Sequence, residues 1–530
     1  MTRARLGLLL LGLAAASCAP ARQQTAGDSA GVTREHCIGM FARAYVPDRS
    51  GDIFLVPEKG EFFISKKDSA FYRFMHGSPW SYDVRIPLLF HGEPFIAPGT
   101  YAKSAGLQDV APTLLALLDV RKPKTMTGRV LDEVLEKAPK PPAVVSLFVM
   151  DGMGANTWER LESRMPNLSR LKKEGAWFSN AVLDYLPSVT STGHATASTG
   201  TDPRRHGIQA NTTYDRTLKK AIDPFANMDP KQYLVPTLSD YWDLETGGLG
   251  AIVAQGTTAR AAIALAGHGG CAIPGIDETG SKIIAAMFSD STAGWVTNEH
   301  CHRIPEYLSD NNAAKLWKDA PLVWLGHSVE NGKAFLRTAL FPQFQADALL
   351  EMIEGELVGH DSIPDLVLVN WKTPDYVAHQ YGPESEEMSA ALEALDLEIG
   401  RWRAAMEHAA GPRGSVLAIT ADHGMPSKHS EERDGSHFVE DLVAAIHERF
   451  DPEKRLIQNL EDSNCQIYVD HERLAELGIE LADVARFVEE LDYIRYAFTE
   501  DEVRSAKVPK REQRRFGIGL GFPPQTSVTR

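Results

Sequence analysis

The apolar positions of this chain fall into short runs separated by glycine-, proline- and asparagine-rich breaks. Residues 53–57, 85–90, 144–150, 249–254, 366–370 and 416–420 are apolar stretches of the length of buried strands. Residues 110–118, 166–174, 195–199 and 389–410 read as helices. Asp109 precedes the first of these as an N-cap, with Pro112 in its first turn. Strand and helix alternating along most of the chain predict an α/β fold: a mainly parallel central sheet with helices on both faces. Residues 212–330 are less regular and rich in Gly, Asn and Asp, which predicts an inserted cap packed over one sheet edge. A second such region is expected at 456–507, with a strand at 466–469 and helices rich in Glu and Leu. Residues 121–142, with four prolines and several lysines, read as a surface connection.

The first eighteen residues break this pattern. Arg3 and Arg5 precede the apolar run 6–16, which is short for a membrane span and suits an export signal. Ser17-Cys18 at its end resembles a bacterial lipoprotein signal, in which Cys18 becomes the lipidated N-terminus. The expected location is therefore the periplasm or outer membrane, with plain secretion as the second choice. Residues 19–35 read as a flexible tether. Export permits disulfides, and Cys37, Cys271, Cys301 and Cys465 allow three pairings. Cys271–Cys301 would close a local loop and Cys37–Cys465 would tie the two ends of the chain; this pair of bridges is the favoured one.

With 43% hydrophobic and 24% charged residues, the composition is that of a globular protein. A formal charge of −16 argues against a nucleic-acid polymer as partner. A small phosphorylated substrate stays open, because bound cations reverse the local field.

The chemistry gathers where the strands end. The 144–150 run stops on Asp151-Gly152-Met153-Gly154, the 366–370 run leads to Asp375 and His379, and the 416–420 run leads to Asp422-His423-Gly424. In an open α/β sheet ligands gather at the carboxyl ends of strands. Carboxylate and imidazole together form a ligand set that zinc accepts, and an Asp and His four residues apart converge if their segment is helical.

Asp151-Gly152-Met153-Gly154, the block Thr190…Gly193-His194…Thr199-Gly200, His206-Gly207-Ile208…Asn211, Pro374-Asp375…His379 and Asp422-His423-Gly424 resemble the alkaline phosphatase superfamily. Within it they are similar to the type I phosphodiesterase/nucleotide pyrophosphatase branch and the related phosphate-irrepressible alkaline phosphatases. The resemblance implies a single catalytic domain over 36–530 and two zinc ions. It places Asp375 and His379 at one ion, and Asp151, Thr190, Asp422 and His423 at the other. Thr190 would be the nucleophile, since its spacing to Gly200 fits the family better than that of Ser188, Ser191 or Thr192. Zinc coordination would make its alkoxide accessible, and a phosphothreonine intermediate would follow. Asn211 would donate to a non-bridging phosphoryl oxygen.

The family's third histidine at the first zinc lies near the C-terminus, yet His429, His437, His447 and His471 lack its surroundings. Instead the segment from His76-Gly77-Ser78-Pro79 through Asp83, the 85–92 stretch and Asp109-Val110-Ala111-Pro112 resembles that C-terminal part. The chain therefore reads as a circular permutation joined through 121–142, with His76 as the missing ligand. This order requires 456–507 to abut 37–55, which makes a Cys37–Cys465 bridge attractive.

Monoesterase relatives grip the extra phosphoryl charge with a lysine and an arginine two residues apart. Here Arg260 matches the arginine and Thr258 stands in place of the lysine, which leaves phosphodiesters or a mixed preference open. His268, His300 and His302 read as ordinary polar residues. The competing readings are a sulfatase, a phosphoglycerate mutase-like enzyme of the same superfamily, and an inactive envelope binding module. The only sulfatase-type match, Cys18-Ala19-Pro20-Ala21-Arg22, falls in the export signal.

Overall fold

A computed structural model describes residues 32–138, 140–280, 283–427, 435–461 and 465–508; the export signal, Cys18, the tether up to residue 31 and His429 lie outside the described residues. The apolar runs pair into one mixed sheet of nine strands. From one edge its order is Gly294–Val296, Ile284–Ser289, Ile252–Gly256, Asp365–Trp371, Val144–Met150, Ser415–Thr420, Leu88–His91, Ala176–Phe178 and Gly99–Tyr101. The five strands from Ile284–Ser289 to Ser415–Thr420 are mutually parallel, and Leu88–His91 turns antiparallel against Ser415–Thr420. Val144–Met150 is buried along its whole length, which is why it shows no polar alternation. Phe148 on this strand packs against Trp371 and Trp402, with ring centroids 6.0 and 5.1 Å apart.

The 212–330 stretch supplies three strands of the sheet itself, at one edge. The helix expected at 195–199 begins five residues earlier, at Thr190, through the unfavourable run Thr-Ser-Thr-Gly-His. Every residue of that helix is buried, and tertiary packing overrides its poor intrinsic propensity. Asp109 does not cap the helix Val110–Leu117 with its side chain. Its carboxylate accepts instead from the N–H groups of Gly106 (3.0 Å) and Arg129 (2.8 Å), pinning the connection that crosses 121–142.

A second, antiparallel sheet joins the two ends of the chain. Ile53–Pro57 lies between Gln466–Val469 and Ile494–Thr499, with Ile457–Glu461 at the edge. Alternate residues of Ile53–Pro57 face opposite sides, Phe54 and Val56 toward the main core, Ile53 and Leu55 toward a smaller apolar cluster. This sheet overturns the expected Cys37–Cys465 bridge. Cys37, on the helix Arg34–Ala44, packs into the main core, whereas Cys465 packs into the cluster on the other face. Both remain buried thiols with the sheet between them. The local bridge Cys271–Cys301 is formed.

Candidate metal centre

Three adjacent parallel strands end side by side, and each delivers a carboxylate. Asp151 follows Val144–Met150, Asp375 sits in the first turn of the helix Thr373–Tyr381 after Asp365–Trp371, and Asp422 follows Ser415–Thr420. All three are at most 1% exposed. Glycines permit this crowding. Gly152 has φ of +70°, and a Cβ there would lie 2.8 Å from the Cα of Asp375. A Cβ on Gly193 would lie 2.6 Å from that of Asp422, so the helix Thr190–Thr199 can rest on the Asp422 loop only with glycine at this position.

Each carboxylate has one oxygen fixed by the protein. Asp422 Oδ1 accepts from the backbone N–H groups of Gly152 (3.1 Å) and His423 (3.0 Å). Asp151 Oδ2 accepts from the Asn370 amide at 2.9 Å. Asp375 Oδ2 pairs with the Lys372 ammonium at 2.8 Å. The other oxygens of Asp375 and Asp422, Oδ1 and Oδ2 respectively, are buried with no hydrogen-bond partner. A buried carboxylate oxygen without a donor costs free energy unless a cation meets it.

Three imidazoles surround these oxygens in one common arrangement. His76 Nδ1 donates to the carbonyl of Ser188 (2.8 Å), His379 Nδ1 to that of Phe74 (2.6 Å), and His423 Nδ1 to that of Gly424 (2.9 Å). These bonds fix the orientation of each ring and turn every Nε2 inward. His379 Nε2 lies 3.2 Å and His76 Nε2 3.8 Å from Asp375 Oδ1. His423 Nε2 lies 3.4 Å from Asp422 Oδ2, 3.5 Å from Asp151 Oδ1 and 3.3 Å from the Thr190 hydroxyl. The His76 and His423 rings stack with centroids 3.5 Å apart. His76, Asp375 and His379 form one group able to hold a cation; Asp151, Asp375 and His423 form a second, and Asp151, His194 and Asp422 a third.

The loop carrying His76 is held by Asp83, whose Oδ2 accepts from the Ser78 N–H (2.9 Å), the Ser78 hydroxyl (2.5 Å) and the Gly77 N–H (3.2 Å). Burial pushes the Asp83 carboxyl up to about 7. Burial, together with the His423 ring, pushes His76 well below the ordinary imidazole range. His423 is raised to about 9: burial opposes its charge, but Asp422, Asp151 and Asp375 outweigh it. Burial likewise opposes ionisation of Asp375, and His379 and Lys372 more than offset it, holding that carboxyl well below the usual range.

Thr190 opens its helix beside these groups, 2% exposed. The Asn211 side-chain oxygen accepts from the N–H of Ser191 at 2.9 Å, which orients the amide next to the start of that helix. Arg260 stands in the first turn of the helix Ala259–Ala266, where it pairs with Asp223 at 2.6 Å; its charge reaches the Tyr72 hydroxyl, whose ring packs edge-on against His379 at 4.9 Å. His268 is engaged by Asp240 at 2.7 Å, His302 faces the Gly267 carbonyl and His300 is exposed, all outside the candidate cation groups. His437 pairs with Glu61, His447 accepts from the Ile457 N–H, and His471 pairs with Asp52.

Three buried residues at the centre carried no role in the sequence reading. Lys372 Nζ lies 2.7 Å from Asp151 Oδ1 and 3.0 Å from the Thr190 hydroxyl. Burial disfavours its charge, but Asp151, Asp375 and Asp422 raise its pKa above the ordinary lysine range. Asn370 bridges Asp151 to His194 Nε2 (3.0 Å), and His194 Nδ1 donates to the Thr190 carbonyl at 3.0 Å. With both its nitrogens engaged, His194 orients its neighbours. The available signal was polarity at a buried strand end: Asn370 and Lys372 interrupt an otherwise apolar run.

Type I phosphodiesterase/nucleotide pyrophosphatase is the family whose model matches residues 145–515. That span contains every residue of the candidate cation groups except His76. Alkaline phosphatase PafA of Elizabethkingia meningoseptica is 26% identical over 432 residues, covering 70% of this chain and 78% of its own length. Alkaline phosphatase PhoV of Synechococcus elongatus is 25% identical over 341 residues, covering 56% of this chain and 62% of its own. The solved structure of PafA superposes with a TM-score of 0.59 at 21% identity, over 71% of this chain and 82% of that one, a likeness of fold. The chain belongs to the type I phosphodiesterase/nucleotide pyrophosphatase family, with the alkaline phosphatase-like fold, and is a hydrolase acting on phosphoric ester bonds.

Proposed function

We propose that this chain is an exported phosphoesterase that transfers a phosphoryl group from a small substrate to Thr190 and then to water, at a centre holding two zinc ions. Asp375, His379 and His76 would hold one ion, and Asp151, Asp422, His423 and Thr190 the other. The observation that carries this reading is the arrangement around the orphaned oxygens. Three imidazoles, each fixed through Nδ1 by a backbone carbonyl, turn Nε2 toward carboxylate oxygens that lack any donor, beside a buried hydroxyl. The mixed nitrogen and oxygen donor set suits zinc.

Bound cations would supply acidification of the Thr190 hydroxyl and neutralisation of the phosphoryl and leaving oxygens. The protein's own groups do the rest. Thr190 Oγ1 loses its proton to solvent and bonds to phosphorus as the bond to the leaving oxygen breaks; that oxygen takes a proton from water. Water then attacks phosphorus and gives up a proton as the bond to Thr190 Oγ1 breaks, and Oγ1 takes a proton back, restoring the hydroxyl. Asn211, oriented through its carbonyl oxygen, presents its amide toward a non-bridging oxygen, a contribution of about 2–4 kcal/mol. Arg260, which pairs with Asp223 at 2.6 Å, would offer its guanidinium to a non-bridging phosphoryl oxygen.

His76 lies outside the span that the family matches, yet its ring stacks on His423. This supports a circularly permuted order in which the first 120 or so residues replace a C-terminal segment. Export is supported by the Cys271–Cys301 bridge, since disulfides persist in oxidising compartments. No helix among the described residues is long and apolar enough to cross a membrane; the proposed membrane link is a lipid on Cys18. Purified zinc-loaded protein should hydrolyse p-nitrophenyl phosphate or bis(p-nitrophenyl) phosphate and lose that activity to a chelator. Hydrolysis of neither ester would refute the reading.

A further inference from the structure

Arg337, two residues beyond the helix Gly332–Phe335, is a guanidinium taken out of water without an anion; it is 4% exposed. Nη1 donates to the Lys333 carbonyl at 2.5 Å, Nε is buried with no partner, and no carboxylate among the described residues pairs with the group. Three aromatic rings surround it instead: Tyr376, Phe71 and Tyr72, with centroids 5.1, 5.7 and 6.0 Å from Cζ. Rings at that range offset part of the desolvation cost of a cation and leave its fork of N–H donors unmet. Lys333 brings a second cation without a carboxylate, its ammonium 3.9 Å from the centroid of the Phe71 ring, which is 41% exposed. In a chain of formal charge −16, two neighbouring cations with no acid paired to either form a local field that attracts an anion.

The same rings lead to the centre. Tyr376 follows Asp375 directly, and Tyr72 packs edge-on against His379 at 4.9 Å. The charges of Arg337, Lys372 and Arg260 all act on the Tyr72 hydroxyl, which therefore lies between Arg337 and the groups of the centre. Both tyrosines are half-buried, and neither hydroxyl has a hydrogen-bond partner among the described residues. We infer that Arg337, with the hydroxyls of Tyr72 and Tyr376, binds a second phosphate carried by the substrate beyond the reacting phosphoryl group. This deepens the proposed function and rests on it: the substrate class becomes phosphate esters with a distal phosphate. A guanidinium with an open fork meets two oxygens of one phosphate, and the aromatic walls keep water from that contact. Arg337 changes no bond. It holds the far end of the substrate, so its loss is read in binding and KM more than in kcat.

Calorimetry on the zinc-loaded protein compares hexane-1,6-bisphosphonate with hexylphosphonate, non-hydrolysable probes that differ only in the second anion. Wild type is expected to bind the bisphosphonate at least about tenfold more tightly, the scale of one charge-assisted contact. Arg337→Met should bring the two affinities to within about twofold of each other, and Arg337→Lys should restore part of the gap. Equal affinities in wild type, binding of neither probe, or a gap that Arg337→Met leaves intact would overturn the inference while the hydrolase reading stands. Should Arg337→Met fail to fold, Tyr72→Phe must narrow the gap at least about threefold, and an unmoved gap overturns it. The same zinc-loaded wild type is assayed on p-nitrophenyl phosphate and bis(p-nitrophenyl) phosphate; cleavage of neither would instead sink the underlying function, whatever the phosphonates do.

Discussion

His206 lies in a motif block shared with the family, but its surroundings are those of a core residue, and they yield a quantitative prediction. The ring is fully buried; Nδ1 accepts from the Ile208 N–H and Nε2 donates to the Thr196 hydroxyl, each at 3.1 Å. Burial and the Arg49 guanidinium, which donates to the Gly207 carbonyl at 2.8 Å, depress its pKa to about 3. In the unfolded chain the same imidazole titrates near 6.5. Above pH 6.5 both states are neutral and the ring's contribution is complete. As pH falls from 6.5 toward 3 only the unfolded state gains a proton, so stability is lost. Between pH 7 and pH 5 the loss from this one residue is about 2 kcal/mol. Urea unfolding of wild type and His206→Gln at both pH values isolates it, because glutamine keeps a donor and an acceptor but does not titrate. The wild type should lose about 2 kcal/mol more than the variant over that interval. Equal losses would mean that His206 is solvated or protonated in the native protein, contrary to its packing.

Three further outcomes are expected. Thr190→Ala should lower kcat at least about 1,000-fold while zinc content stays within a few per cent of wild type, as loss of a nucleophile demands; near-normal turnover would remove Thr190 from the chemistry. Gly193→Ala pushes a methyl group toward the backbone of Asp422 and should cost about 1–3 kcal/mol by overpacking, with a disproportionate loss of activity as Asp422 is displaced; thermal melts beside turnover assays will check this. Replacing Cys271 and Cys301 together by alanine frees a loop of sequence separation 30 and should lower unfolding free energy by about 3–4 kcal/mol in denaturant titrations.

Much of the centre was legible because burial and chemistry coincide at strand ends. Val144–Met150 reads as a fully buried strand, and although one aspartate after such a run is commonly a turn residue, three acidic strand ends in one sheet point to a shared site. The glycines of the motifs were visible too, and their physical role is close approach: Gly152 beneath Asp375, Gly193 beneath Asp422. Proximity through the core was less accessible. The sequence suggested that the chain's two ends meet, and Ile53–Pro57 does pair with Ile494–Thr499. Only the alternation of faces in that sheet reveals that Cys37 and Cys465 are kept apart. Lys372 was overlooked because a lysine near a strand end reads as a solvated residue; the three carboxylates that make its burial tolerable come from three separate strands. Asn370 and His194 escaped for a similar reason, since their role is to orient groups distant in sequence.

Anomalous diffraction at the zinc edge from crystals of the zinc-loaded protein tests most directly whether the N-terminal segment completes a two-ion centre. Two peaks are expected, one bonded to His76 Nε2, Asp375 and His379 Nε2, the other to Asp151, Asp422, His423 Nε2 and the Thr190 hydroxyl. A single peak, or a pair of peaks with His76 unbonded, would contradict it.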